Sequence, residues 1–341
     1  MHWTRALATL FILGSHWART SFIPSLESLR TVHYRLTDVY AGEDFFNCWD
    51  WFTGDDPTHG RVNYVGLDEA QKSNLTFVTD DGIFYMKADD TNIVPDNARG
   101  RNSIRIQSRK AYGDSLIILE LQHMPAGCAT WPAFWTISQT GPWPHGGEID
   151  IIEGVNLNTN NQATLHTTPN CTQCMDRLQT GQSLSLDCNT AVNYNQGCGV
   201  QFSQPNSYGT DFNNNGGGFY MMQRSEYGVH VWLRQLWDLP WGVAEGAERL
   251  SVNLFWEPPD VTFDFTSCDY LEHFDDHAMI FDLTFCGDWA GNAFATSGCP
   301  STNCTSYVDD NPSAFSEAYW AVKVLRVYTP SHDDDDDDSS W

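Results

Sequence analysis

The chain of 341 residues carries 44 acidic side chains against 18 basic ones, which gives a formal net charge of -26 at pH 7. A charge of this size repels polyanions such as nucleic acid but is indifferent to neutral polysaccharide. Charged residues make up only 18% of the chain and aromatic residues 13%, so the composition is that of a folded domain with a large apolar core, not a disordered protein.

The first residues have the pattern of a secretory signal peptide. Arg5 supplies a positive charge, residues 6–14 are apolar, and Ala18 offers a small side chain for cleavage. This apolar stretch is far shorter than the roughly 20 residues that span a bilayer. We therefore expect a signal peptide over residues 1–18, a short preface over 19–33, and a secreted, extracellular protein with no membrane segment.

Runs of β-branched and aromatic residues predict that the rest of the chain is mostly strands. They lie at residues 115–124, 147–153, 163–167, 219–224, 229–233, 249–255, 279–285 and 319–328. Helices are expected to be few, with one short turn opening at Asn311-Pro312. Gly-, Asn- and Ser-rich stretches at 156–162, 189–199 and 206–218 are interpreted as surface loops, because a strand resumes after each.

No internal repeat or domain linker interrupts this pattern, which favours a single all-β domain over residues 34–330. We predict a two-sheet β-jelly-roll sandwich with a concave substrate cleft. The tail at 331–341 contains six consecutive aspartates, and like charges in a row repel one another. We expect that tail to be disordered and solvated.

Ten cysteines, an even number, agree with an oxidising exterior and predict disulfides whose connectivity stays open. A zinc site is the alternative for Cys171, Cys174, Cys188 and Cys198, but their spacing matches no standard zinc motif. Three Asn-X-Thr sequons, at Asn74, Asn170 and Asn303, are candidate glycan sites.

Three carboxylates lie among three isoleucines in the predicted strand at 147–153. Glu148 and Asp150 share one face, whereas strict alternation would turn Glu153 to the other. A β-bulge near Ile151-Ile152 would return Glu153 to the face of the other two acids. The two glutamates would then be about four strand steps apart, roughly 13 Å between Cα atoms, so that their side chains can approach each other.

Paired carboxyls on one face predict glycoside hydrolysis. A retaining glycosidase places its two carboxyls about 5 to 5.5 Å apart, one ionised as the nucleophile and the other protonated as the acid. Three crowded carboxylates cannot all ionise cheaply, so one is expected to keep a proton. The alternatives are a solvated edge strand and a calcium site, and the apolar, strand-like segment is a poor match for calcium.

Tryptophans precede these acids closely in the sequence. Trp131, Trp135 and Trp143 all lie within 17 residues of Glu148. Flat aromatic faces beside hydrogen-bonding acids suit a pyranose ring, which has an apolar C–H face and a rim of hydroxyls. The combination predicts a carbohydrate cleft.

With these motifs the chain resembles glycoside hydrolase family 16, specifically the fungal laminarinase-like endo-β-1,3-glucanases. The resemblance covers roughly residues 34–328 and is carried by segments 54–64, 131–135, 147–156, 164–167, 215–220, 281–291 and 323–328. It implies a concanavalin-like jelly roll. We expect the enzyme to work as a monomer. Cys48 and Cys174 are additions relative to the family pattern, so they pair with each other, pair elsewhere or stay free.

The resemblance also assigns roles to residues. It implies that Glu148 is the nucleophile, Glu153 the acid/base, and Asp150 the residue that hydrogen-bonds the nucleophile. Trp135, Trp143 and Trp289 resemble residues that line the glucan cleft, and His166 resembles a histidine beside the active site.

The expected activity is retaining endo-hydrolysis of internal β-1,3 linkages of a laminarin-type, mixed-linkage or β-1,6-branched β-glucan, through a covalent glycosyl-enzyme. No cofactor or metal is expected. Two alternatives remain: a cell-wall glucan transglycosylase, which shares the covalent intermediate, and a glucan-binding lectin, which has no need of the three acids.

Overall fold

A computed structural model describes residues 31–252 and 256–331. Within those residues, strands dominate and the helices are short. The strands are β1 (Val32–Tyr40), β2 (Trp49–Trp51), β3 (Val62–Tyr64), β4 (Thr76–Val78), β5 (Phe84–Lys87), β6 (Arg101–Ser103), β7 (Arg105–Tyr112), β8 (Ser115–His123), β9 (Thr130–Ser138), β10 (Glu148–Glu153), β11 (Gln162–His166), β12 (Gln182–Ser183), β13 (Cys198–Gln201), β14 (Gly218–Ser225), β15 (Gly228–Arg234), β16 (Arg249–Val252), β17 (Val261–Asp264), β18 (His277–Phe285) and β19 (Tyr319–Pro330).

The α-helices are α1 (Asp44–Asn47), α2 (Leu67–Lys72), α3 (Gly209–Asn214), α4 (Tyr270–His273) and α5 (Cys304–Asp310). Short 3-10 turns lie at Asn193–Asn195, Leu236–Asp238, Phe294–Thr296 and Pro312–Phe315, and a π-helical turn lies at Gly287–Gly291. The predicted turn at Asn311-Pro312 is confirmed as the last of these 3-10 turns.

Two large antiparallel sheets form the sandwich. The nine-stranded sheet has the order β16-β1-β19-β8-β14-β15-β17, with β5 also paired to β19 and β4 to β5. The eight-stranded sheet has the order β12-β13-β11-β10-β9-β18-β7-β2. The predicted all-β sandwich is confirmed.

The main core lies between the two sheets. In β8, Ile117, Leu119 and Leu121 point into it, and the intervening Leu116 and Ile118 join a second apolar cluster on the other face of the nine-stranded sheet. Because this alternation buries both faces of β8, the strand contains an uninterrupted apolar run over residues 116–119. The eight-stranded sheet contributes Phe134, Ile149 and Phe281 to the main core. Its opposite face carries the polar and aromatic residues of the candidate site.

The predicted strands are confirmed with end points shifted by a few residues, although residues 253–255 of the predicted strand at 249–255 lie outside the described residues. The sequence patterns missed several strands, including β1, β7, β9 and β13. The stretch at 206–218, predicted to be a loop, contains α3. Gly209 begins that helix with a left-handed φ of 62°, a glycine signal that ordinarily indicates a loop.

The signal peptide predicted for 1–18 and nearly all of the acidic tail predicted for 331–341 lie outside the described residues. Strand β1 starts at Val32, inside the predicted preface of 19–33. None of the helices in the described ranges combines the length and the hydropathy needed to cross a membrane.

Four disulfides cross-link the described residues, two of them across long stretches of chain and two that close short loops. They pair Cys128 with Cys299, Cys171 with Cys268, Cys188 with Cys198, and Cys286 with Cys304. Three of the four cysteines considered for zinc are therefore oxidised partners. The sequence leaves the pairing of Cys48 and Cys174 open. Both are free and exposed.

Phe281 at the centre of the main core provides a test of the packing. Its ring stacks on Phe134 at 4.3 Å and meets Phe45 and Trp320 edge to face. We expect Phe281→Ala to lower the free energy of unfolding by about 3–5 kcal/mol, because the vacated volume cannot be refilled. Urea denaturation measures this change. Leu271→Ala on α4, at a side chain 87% exposed, is the control and should change stability by less than about 0.5 kcal/mol; equal losses would contradict this description of the core.

Candidate active site

A β-bulge in β10 places the three acids on one face. Asp150 lies opposite Trp135 of β9 and Ile152 lies opposite the preceding residue Phe134, so Ile151 is the extra residue. The pairing with β11 shifts at the same point, between Asp150 and Glu153. As a result Ile149, Ile151 and Ile152 all enter the core, with at most 1% of their surface exposed. The predicted bulge is confirmed.

The register of neighbouring strands brings further residues beside the acids. Glu148 lies opposite His166 of β11, and Glu153 lies opposite Ala133 of β9, which in turn lies opposite Asp282 of β18. Residues opposite each other in antiparallel strands point to the same side of a sheet. The acids therefore share their face with a histidine, an indole and a fourth carboxylate.

These side chains line a cleft of about 840 Å³. The structure brings together all seven residues predicted for the site, and the cleft is lined by Trp135, Trp143, Glu148, Asp150, Glu153, His166 and Trp289. Their chemical roles stay predictions at this point. The cleft also contains Trp131, one of the aromatic residues from which the cleft was predicted, and Arg105, Asp282 and Asn195, which the sequence patterns did not single out as site residues.

Each glutamate is held by the N–H group of an indole. Trp143 Nε1 donates a hydrogen bond to Glu148 Oε2 at 2.8 Å, and Trp131 Nε1 donates one to Glu153 Oε1 at 2.9 Å. Trp131 also packs edge to face against Trp289 at 5.8 Å. The tryptophans therefore orient the carboxylates in addition to offering apolar surface.

His166 lies against two of the acids. Its Nε2 is 3.4 Å from Asp150 Oδ2 and 4.0 Å from Glu148 Oε1, and its side chain is only 9% exposed. Burial alone would lower the pKa of the imidazolium, but the contact with Asp150 and the charge of Glu148 raise this pKa to about 9. The carboxylates therefore favour the charged form of His166, which offsets part of the negative charge of the cluster.

Burial is the largest cause that raises the pKa of both glutamates. It raises the pKa of Glu148 to about 8, with a further increase from Asp150 and opposing effects of His166 and Trp143. Burial and Asp150 also raise the pKa of Glu153 well above its ordinary value, against the hydrogen bond from Trp131 and the charge of His166. Both glutamates therefore hold a proton to higher pH than a free carboxyl does, and Glu148 is the one whose carboxylate lies 4.0 Å from the His166 imidazole, which favours its charged form.

Glu148, Asp150 and His166 each bring one possible ligand atom to within 4.8 Å of the others, a spacing that a metal ion could use. A cation at this position would have to displace the proton from His166, whose pKa is raised by the same two carboxylates. We interpret the group as a set of acids and a base that share protons.

A second charged group lies on the same face of the sheet. The Arg105 guanidinium lies 5.1 Å from the ring centre of Trp135 and 4.9 Å from that of Phe52, and its Nη1 is 4.0 Å from Asp282 Oδ2. Burial raises the pKa of Asp282 to about 7, against the opposing charge of Arg105. The signal at 148–153 was a charged residue inside an apolar strand. Asp282, between Phe281 and Leu283, shows the same signal and could have been found from the sequence.

Comparison with known proteins agrees with the family that the sequence motifs predict. Residues 49–328 match the model of a family described as the XgeA-like, catalytic GH16 domain. A probable endo-1,3(4)-β-glucanase of Aspergillus niger is 39% identical over 327 residues, which cover 94% of this chain and 42% of that protein. The chain thus spans less than half the length of this relative.

Two solved structures are also similar. Laminarinase 16A from Phanerochaete chrysosporium, described with two β-glucans in its donor and acceptor sites, is 42% identical, with a TM-score of 0.84 over 87% of this chain and 100% of that one. An elongating GH family 16 β-1,3-glucosyltransferase is 38% identical, with a TM-score of 0.81 over the same shares of the two chains.

The raised pKa of Glu148 leads to a prediction for stability. A carboxyl whose pKa is about 8 in the fold and about 4.5 when unfolded binds its proton more tightly in the fold, so ionisation costs stability as pH rises through this window. We expect Glu148→Gln to match the parent protein at pH 4 and to exceed it by on the order of 1–3 kcal/mol at pH 8.5, since one pKa unit is about 1.4 kcal/mol.

Thermal unfolding of both proteins at the two pH values measures this difference. Glu226→Gln, at an exposed glutamate of the β14–β15 turn, is the control and should behave like the parent protein at both. A Glu148→Gln effect that does not depend on pH would contradict the account of a charge buried at a cost.

Proposed function

The chain belongs to glycoside hydrolase family 16, and we propose that it acts as a retaining endo-glucanase on internal β-1,3 linkages of β-glucan. The observation that carries this proposal is the bulge at Ile151, which puts Glu148, Asp150 and Glu153 on one face of an aromatic cleft. Neutral glucan also suits a chain of net charge -26, which would repel an anionic polymer.

In the first step the Glu148 carboxylate attacks the anomeric carbon while Glu153 gives its proton to the departing glycosidic oxygen. The bond between the anomeric carbon and that oxygen breaks, and a glycosyl ester of Glu148 forms. In the second step Glu153, now ionised, takes a proton from water as the water oxygen attacks the anomeric carbon and releases Glu148.

The neighbours of each glutamate fit this division of roles. Trp143 and His166 favour the charged form of Glu148 against the burial that raises its pKa, and burial and Asp150 favour the proton on Glu153. Asp150 lies between the two and approaches the same imidazole nitrogen as Glu148 does. Removing any one of these groups changes how protons are shared among the rest.

The substrate is proposed to be a laminarin-type glucan, with mixed β-1,3/1,4 and β-1,6-branched glucans as further candidates. Support comes from the relatives, which include a probable endo-1,3(4)-β-glucanase and a laminarinase described with 6-O-glucosyl-laminaritriose in its donor and acceptor sites. The indoles of Trp135, Trp143 and Trp289 offer surfaces for the apolar faces of successive glucose units. We propose that the enzyme works as a monomer.

Transglycosylation is the second candidate, and the similar elongating glucosyltransferase favours it. The glycosyl ester of Glu148 would then pass to a sugar hydroxyl in place of water, with Glu153 acting as the base in the same way. A lectin function has less support, because a pure binder has no use for three buried acids.

Secretion is proposed on the pattern of residues 1–18 and on the cysteines. Eight of the ten cysteines form disulfides in the described part of the chain, and disulfides persist in oxidising compartments.

A substrate panel with product analysis tests the proposed function. We expect laminarin to be cut quickly into mixed laminari-oligosaccharides, lichenan more slowly, and cellulose not at all. Activity on cellulose alone would overturn the substrate class. Products longer than the starting oligosaccharide, dominant at high substrate concentration, would identify a transglycosylase.

Variants of the two glutamates test their separate roles. On laminarin, Glu153→Gln should lose about 10²–10⁴-fold in kcat, the usual contribution of a general acid, and Glu148→Gln should lose all measurable turnover. On a dinitrophenyl β-laminaribioside, whose leaving group needs no proton, Glu153→Gln should still release dinitrophenol in a burst and accumulate the glycosyl-enzyme, detectable by intact mass. If the two variants are equally impaired on both substrates, the assignment of the acid is wrong.

A further inference from the structure

Both ring nitrogens of His166 face hydrogen-bond acceptors. Nε2 faces Asp150 and Glu148, and on the other side Nδ1 lies 3.0 Å from Asn195 Oδ1. A neutral imidazole has one N–H and one lone pair, so it can satisfy acceptors on only one side. A ring with acceptors on both sides is satisfied only when both nitrogens carry protons.

Asn195 belongs to a loop that is tied down close to His166. Cys188 and Cys198, both fully buried, close the loop through a disulfide, and Cys198 lies opposite Leu165 on the neighbouring β11. Gly197, just before β13, has a left-handed φ of 63°, and a Cβ on it would lie 2.9 Å from Cε1 of His166. The backbone of the loop therefore packs directly against the imidazole.

The segment that presents Asn195 has an unusual backbone. Asn193, Tyr194 and Asn195 follow one another with left-handed φ values of 51°, 57° and 59°. Asparagine tolerates this region, but tyrosine is disfavoured there, and the Tyr194 side chain is fully exposed and gains no packing in return. Such a conformation persists only where the surroundings impose it, and it is typical of functional sites.

We propose that Asn195 is a positioning residue, which holds His166 as a cation facing the nucleophile by accepting a hydrogen bond from its Nδ1–H. This proposal rests on the proposed function only in what it says about catalysis. The state of the imidazole itself does not depend on which reaction the cleft performs.

Asn195 can influence Glu148 only through His166, as the charged groups around Glu148 show. Asp150 and Glu153 lie on the strand of Glu148, His166 on β11 and Arg105 on β7, while Trp143 donates a neutral hydrogen bond. The loop from 189 to 197 contains no acidic or basic side chain. Asn195 therefore influences Glu148 through the imidazole and not through a charge of its own.

Asn195→Gly is the sharpest test, because glycine keeps the left-handed backbone and removes only the acceptor. We expect the pKa of His166, followed by NMR of its ring protons, to fall by about one unit. In the variant the imidazole loses its charge at lower pH, which withdraws the positive neighbour of Glu148 and raises the pKa of Glu148, so the acidic limb of the kcat/KM profile moves to higher pH. Asn195→Asp keeps an acceptor and should return the limb towards its original position.

Asn193→Gly is the matched control, since it makes the same replacement in the same loop at a residue with the same left-handed backbone. Its His166 titration and acidic limb should match the parent protein. If Asn195→Gly lowers only the melting temperature and leaves both the titration and the limb in place, the residue is merely structural and the proposal fails. If no glucan is hydrolysed by any variant yet the His166 titration shifts as expected, the proposed function fails and the positioning role stands.

Discussion

One additional residue in a six-residue strand is the constraint on which the site depends. Side chains of a regular strand alternate between two faces, so Glu148 and Glu153, five positions apart, would face opposite sides of the sheet. The unpaired Ile151 shifts this phase by one residue and puts two consecutive isoleucines into the core. The apolar gain from burying Ile151 and Ile152 together favours the bulge, and the same bulge turns Glu153 towards the cleft.

Burial of the acids follows from this arrangement. Strand β10 lies inside the eight-stranded sheet, between β9 and β11, so its acids are flanked on both sides by the side chains of neighbours. Little water reaches them, and desolvation becomes the largest influence on the pKa of each glutamate. The carboxyls are chemically similar, so which of them is ionised and which is protonated depends on the indole N–H groups and the one imidazolium beside them.

The groups that give the carboxyls different surroundings come from distant parts of the chain. His166 is supplied by β11, and its second partner Asn195 by a disulfide-closed loop that packs on the same strand. Arg105 and Asp282 come from β7 and β18, on the other side of β9. The rigid sandwich therefore acts as a frame that holds a set of charged side chains whose own mutual repulsion would otherwise separate them.

The sequence by itself determined the local features: that the chain is mostly strands, that the three acids need a bulge to share a face, and that aromatic residues accompany them. These follow from the size, branching and polarity of neighbouring side chains, which act over a few residues. Only the tertiary structure decided that His166 lies opposite Glu148, that Asn195 reaches the imidazole, that Arg105 meets Asp282, and which cysteines pair. Those contacts depend on which strands become neighbours and in what register, and such long-range pairing is fixed by the packing of the whole sandwich, which no short pattern contains.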